Sequence, residues 1–119
     1  MACFLGDFKG QDGVFEAFGV EPSGQDGICI LAAWYGYGCY DGSAAVLFEK
    51  DGQLYEVYGS HCSCYGLEGQ WSPELVVESE LLARALREAG EKSGWYGDEE
   101  KVYWLAVTQI LSDRRSTGA

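Results

Sequence analysis

One histidine and two cysteines stand within four consecutive positions, His61-Cys62-Ser63-Cys64, and the chain has no other histidine. Two thiolates and an imidazole are three of the four ligands a structural zinc takes, which makes His61, Cys62 and Cys64 candidate metal ligands. Cys29 or Cys39 would supply the fourth. The spacing departs from the usual Cys-x-x-Cys knuckle, and two other readings stay open. A Cys-His couple could serve as nucleophile and base, although such couples normally come from distant segments and adjacent strand residues point to opposite faces. Alternatively the thiols are small apolar groups packed in a tight turn. No phosphate loop, paired-carboxylate motif or metalloprotease signature accompanies them, so a non-enzymatic role is expected, with zinc the one cofactor left open.

The residues that follow, Tyr65-Gly66-Leu67-Glu68-Gly69-Gln70-Trp71, extend this block. Gly59, Gly66 and Gly69 punctuate it, while His61, Leu67 and Trp71 are able to turn inward. A compact turn is expected, closed by Glu68, Gln70 and Trp71, with Gln70 bonding to backbone groups freed from regular structure and Trp71 buried. A second cluster, Trp34, Tyr35, Tyr37 and Tyr40, reads equally well as a core wall or as a protein-binding patch. Tyr37 and Tyr40 are its candidate contact residues, because Tyr and Trp offer large contact area at small entropic cost.

The elements that must position these groups are partly legible. Ala44 to Lys50 and Gln53 to Tyr58 flank Asp51-Gly52, which calls for a two-residue hairpin turn. The register then sets Lys50 opposite Gln53, Phe48 opposite Tyr55 and Val46 opposite Val57 on the expected core face, with Glu49/Leu54 and Leu47/Glu56 on the other. Continued further, the second strand sends His61 to one face and Cys62 and Cys64 to the other. A metal site using all three therefore requires the strand to break at Gly59. Ile28 to Tyr35 is an unbroken apolar run between Gly27 and Gly36, the signature of a strand covered on both faces, and is the candidate central strand. Val14 to Phe18 suits a short helix between Gly13 and Gly19, and residues 21 to 27 read as a loop.

Ser72-Pro73-Glu74 resembles a helix start, which Val76 and Val77 delay to about Glu78, and Gly90 ends that helix. Leu75, Leu82, Ala85, Leu86 and Ala89 make its apolar stripe, and Arg84 is placed to pair with Glu80 or Glu88 on the outer surface. A last helix runs from Asp98 through Ser112, with Tyr103, Trp104, Val107, Ile110 and Leu111 inward. The expected fold is one α+β domain over residues 1–119: a small antiparallel sheet of three or four strands with one tight hairpin, covered by two C-terminal helices.

Composition narrows the partners. The 119 residues carry 19 acidic and 8 basic side chains, a net charge of −11, which disfavours direct contact with nucleic acid or an anionic membrane. A protein with a basic surface is the natural complement, and Glu78, Glu80, Glu99 and Glu100 are the candidate contact residues in the most acidic stretch. The bland alternative is that this charge serves solubility. Neither a membrane span nor a signal peptide is indicated, so the expected location is the cytoplasm, where five cysteines stay free or bind metal.

The segment around the hairpin and the His-Cys block resembles a group of small phage and prophage proteins of unassigned function. Their pattern runs Asp-Gly, Glu-Val, Gly-Ser-His-Cys-Ser-Cys, Gly-Leu-Glu-x-Gln-Trp and Pro-Glu. The matching residues here are Asp51-Gly52, Glu56-Val57, Gly59 through Cys64, Gly66-Leu67-Glu68, Gln70-Trp71 and Pro73-Glu74, within roughly residues 44–77. Tyr58 and Ser72 depart from it. The resemblance implies a phage-type inhibitor of a host defence complex, anti-CRISPR-like, that acts in the bacterial host cytoplasm, where its acidic surface occupies the basic nucleic-acid channel of a host protein. A small cysteine- or zinc-dependent enzyme or metal-binding module centred on His61 to Cys64 is the alternative.

Overall fold

The structure is a computed structural model that describes residues 3–6, 8–37, 41–62, 66–91 and 98–117. At residues 6, 37, 41, 42, 61, 62, 90, 91, 98–100 and 115–117 it describes the backbone alone. Five strands, β1 (Cys3–Gly6), β2 (Cys29–Tyr37), β3 (Asp41–Lys50), β4 (Gln53–Cys62) and β5 (Glu74–Leu75), form one sheet in that order. Three helices accompany it: α1 (Gln11–Phe18), α2 (Glu78–Glu91) and α3 (Asp98–Thr117).

The α+β class holds, while the sheet is larger than expected and mixed. The four residues of β1 run parallel to β2, with Cys3 beside Ala32 and Gly6 beside Tyr35, and α1 lies in the crossover between the two strands. The middle place in the sheet belongs to β3, not to the apolar run of β2. The hairpin register is the one the turn demands, from Lys50 opposite Gln53 to Val46 opposite Val57. Asp51 and Gly52 sit at φ 54° and 80°, the pair of positive values a twisted two-residue connection needs.

Both faces of the sheet are core, not one alone. Phe8, α1 residues Val14, Phe15 and Phe18, and Leu67 bury against Ile30, Ala33, Val46, Phe48 and Val57. On the opposite face Ala32, Trp34, Ala45, Leu47 and Leu54 meet Leu81, Ala85 and Ala89 of α2 and Tyr103, Trp104, Val107 and Leu111 of α3. A register shift between Ile30 and Ala32 lets Ile30 and Ala33 share one face while Ala32 and Trp34 share the other. Gln11 clamps α1 at this place, its amide donating to the Ile28 carbonyl (3.2 Å) and its oxygen accepting from the Ile30 N–H (3.1 Å).

The inner stripe of α2 is Leu81, Ala85 and Ala89. The expected members Leu75 and Leu86 are 62% and 56% exposed, and Leu82 is half-buried. Leu75 falls in β5, ahead of the helix, and a stripe through Leu81 turns Leu86 outward. Ile110 of α3 is likewise half-buried. Among the described residues no helix is long and apolar enough to cross a membrane.

Candidate binding surface

The turn that ends at Trp71 is held as its composition requires. Leu67 is buried, while Trp71 is half-buried, not buried outright, and stacks on Phe48 (centroids 5.6 Å apart, 11° between planes) with Phe15 and Phe18 in edge contact. Gln70 accepts from the Ser60 N–H (2.8 Å) and donates to the carbonyls of Ser60 (2.6 Å) and Gly66 (2.7 Å). One side chain thus ties the far part of β4 to the turn. Gly59 permits the close approach: a Cβ there would lie 2.9 Å from Leu67 Cδ2 and 3.0 Å from Phe18 Cε1. Glu68, expected to help close the turn, is exposed.

The strand break that a three-ligand metal site requires does not occur at Gly59. β4 runs on to Cys62, with His61 paired to Gly42 and Cys62 to Asp41. The side chains of His61 and Cys62, and all of Cys64 and Cys39, lie outside the described residues. Among the described residues no three His, Cys, Asp or Glu side chains gather to hold a metal ion.

The acidic candidates separate. Glu78 is committed to the fold: Arg114 of α3 donates to it from Nε (2.9 Å) and to Glu49 of β3 from Nη1 (2.6 Å), fastening both helices to the sheet. Glu80 is exposed on α2. The backbones of Glu99 and Glu100 occupy the first turn of α3 and that of Tyr37 ends β2, but these three side chains, and all of Tyr40, lie outside the described residues. Arg84 does not pair outward with Glu80. It turns inward to Glu56, with its guanidinium carbon 5.6 Å from the centre of the Trp104 ring.

In the hairpin pattern Glu56 falls on the face away from the expected core. It is 5% exposed, and both Tyr58 and Arg84 donate hydrogen bonds to its carboxylate. Tyr58 is 50% exposed as a whole residue, yet desolvation, then the hydrogen bond to Glu56, pushes its phenol above the ordinary value of 10. Burial alone would lower the Arg84 pKa, yet the bond and charge of Glu56 outweigh it and the pKa rises. The signal that could have found this trio is the register itself, which sets Glu56 opposite Leu47 and next but one to Leu54.

A cleft of about 220 Å³ opens between β5 and α2. Glu56 and Arg84 stand at its inner side, Val76 and Leu81 on its walls, and Glu74 and Glu80 at the rim, beside Leu75 and Val77. Leu75 and Val77 are 62% and 58% exposed, and Glu74 and Glu80 have no ion-pair partner among the described residues. Glu74 was assigned by its sequence to a helix start. It lies instead in β5 opposite Glu56, which brings it to the cleft. Compared with known proteins, the chain matches no family model, and neither a curated protein nor a solved structure shows significant similarity to it.

Proposed function

We propose that this chain is a non-catalytic protein-binding module, and that it acts as a phage-type, anti-CRISPR-like inhibitor of a host defence complex. The observation that carries the binding part is the β5–α2 cleft, where exposed Leu75 and Val77 adjoin the carboxylates of Glu74 and Glu80, which have no ion-pair partner among the described residues. Exposed apolar side chains beside carboxylates at the rim complement lysine and arginine side chains, whose aliphatic stems cover apolar surface while their charges meet carboxylates. The net charge of −11 adds long-range attraction toward a basic nucleic-acid-binding surface. The inhibitor part rests on the resemblance of residues 44–77 to phage proteins. Glu80 carries over from the acidic contact set, and Glu74 joins it. Glu99 and Glu100 remain contact residues, and Glu78 contributes through the fold it secures.

The test is expression in a bacterium with an active CRISPR system, scoring the plating of a targeted phage, with the bound host protein recovered at low and high salt. Protection, recovery that falls steeply with salt, and loss of both in the Glu74→Lys/Glu80→Lys variant are the expected results. Protection and recovery unchanged by charge reversal and by salt would overturn the acidic-surface reading. Absence of protection with intact, salt-sensitive recovery would overturn the inhibitor reading alone.

A further inference from the structure

A second cavity, of about 190 Å³, shares no lining residue with the acidic cleft. Its origin lies in the strand register. Trp34, Ala45 and Tyr58 are direct neighbours across β2, β3 and β4, so a small residue stands between two aromatic ones. The indole of Trp34 leans toward Gly36, where a Cβ would come within 2.8 Å of it. Tyr58 leans the other way, its hydroxyl reaching Glu56. The two rings diverge and leave a hollow above Ala45, open to solvent beside the half-exposed Tyr58, and Tyr103 and Trp104 of α3 line it as well, edge to face with each other at 5.1 Å.

The hollow has the size and the aromatic walls of a small-molecule site, and its lining carries the hydroxyls of Ser43, Tyr58 and Tyr103 and the indole of Trp34, of which the Tyr103 hydroxyl is the one on a fully buried tyrosine. A protein cavity of about 150 Å³ accepts a benzene molecule, so this one admits a six-membered ring with one or two further atoms and excludes a nucleotide. Tyr103 is 1% exposed, and its hydroxyl has no hydrogen-bond partner among the described residues, although buried tyrosines ordinarily find one. Burial first, and the neighbouring Tyr58 and Glu56 after it, hold this phenol protonated far above the usual tyrosine range. It is a donor at neutral pH. A cationic ligand gains less here, because the Arg84 guanidinium already lies over the Trp104 ring and brings positive charge to that wall.

We propose that the cavity bounded by Trp34, Ala45, Tyr58, Tyr103 and Trp104 binds a small phenolic molecule, its ring between the aromatic walls and its oxygen accepting the hydrogen bond of Tyr103. This site stands apart from the proposed acidic contact and does not depend on it.

Calorimetric titration of the whole protein with p-cresol, toluene and tetramethylammonium chloride tests the proposal. Saturable one-to-one binding of p-cresol is expected. Tyr103→Phe should weaken p-cresol about fivefold, the worth of one neutral hydrogen bond, and leave toluene unchanged. Ala45→Leu, which raises the floor, should abolish binding of both. Failure of p-cresol to saturate folded wild-type protein, equal loss of p-cresol and toluene in Tyr103→Phe, or tetramethylammonium binding more tightly than toluene would each overturn the proposal. Should Ala45→Leu fail to fold, the ratio of p-cresol to toluene affinity in Tyr103→Phe still decides it.

Discussion

Glu56 is a carboxylate taken out of water and then answered twice, by Tyr58 and by Arg84. Its surroundings make the alkaline limb of stability informative. Tyr58 and Tyr103 both have folded pKa values raised above the ordinary 10. The folded state therefore holds these protons after the unfolded chain has released its own. Their contribution is complete below about pH 10 and declines as pH rises toward the folded values. Urea denaturation between about pH 8 and pH 12 should show that decline, and Tyr58→Phe should flatten it while lowering the neutral plateau, since one donor to Glu56 is gone. An alkaline limb unchanged in Tyr58→Phe would contradict this account.

Between elements, the tightest dependence is at the far part of β4. Gly59→Ala sets a methyl group at about van der Waals overlap with Leu67 and Phe18 and should lower stability by about 1–3 kcal/mol, read from denaturant midpoints. Gln70→Glu keeps the acceptor for the Ser60 N–H but turns oxygens toward two carbonyls, and should cost about 1–3 kcal/mol by the same measurement. The roles of Gln70 and Trp71 were legible in the sequence because glycines around them free backbone groups that need partners. The hairpin was legible because Asp51-Gly52 fixes a register. By contrast, β1 is four residues at a parallel edge, with no turn to announce it, and its pairing depends on a crossover through α1. The second buried face was missed because Glu49 and Glu56 alternate with leucines, and one glutamate buried with its partners looks in sequence like a solvent-facing one. Two adjacent leucines, Leu81 and Leu82, leave the inner stripe of α2 undecided until α3 chooses Leu81. Of the acidic contact surface, Glu80 was legible from charge alone. Glu74 needed the strand that places it across from Glu56.

For the molecule as a whole, 19 acidic against 8 basic side chains on a body with a 13.9 Å radius of gyration imply self-repulsion that added salt screens. Thermal melting should therefore rise as sodium chloride increases from about 0.02 M to about 0.5 M, where the screening length falls to a few ångströms. A fall over that range would mean that the Arg114 and Arg84 pairs outweigh the general repulsion. The strands stand side by side in the order in which a ribosome releases them. Space therefore copies time: each strand arrives beside the one just made, and the single long closure is the crossover joining β1 to β2. The helix α3, made after all five strands, is the one that packs on β2 beside Trp34. Until α3 leaves the exit tunnel, the nascent sheet has one finished side and one greasy one, and that interval is when the chain is most open to chaperone capture or to aggregation on a neighbour.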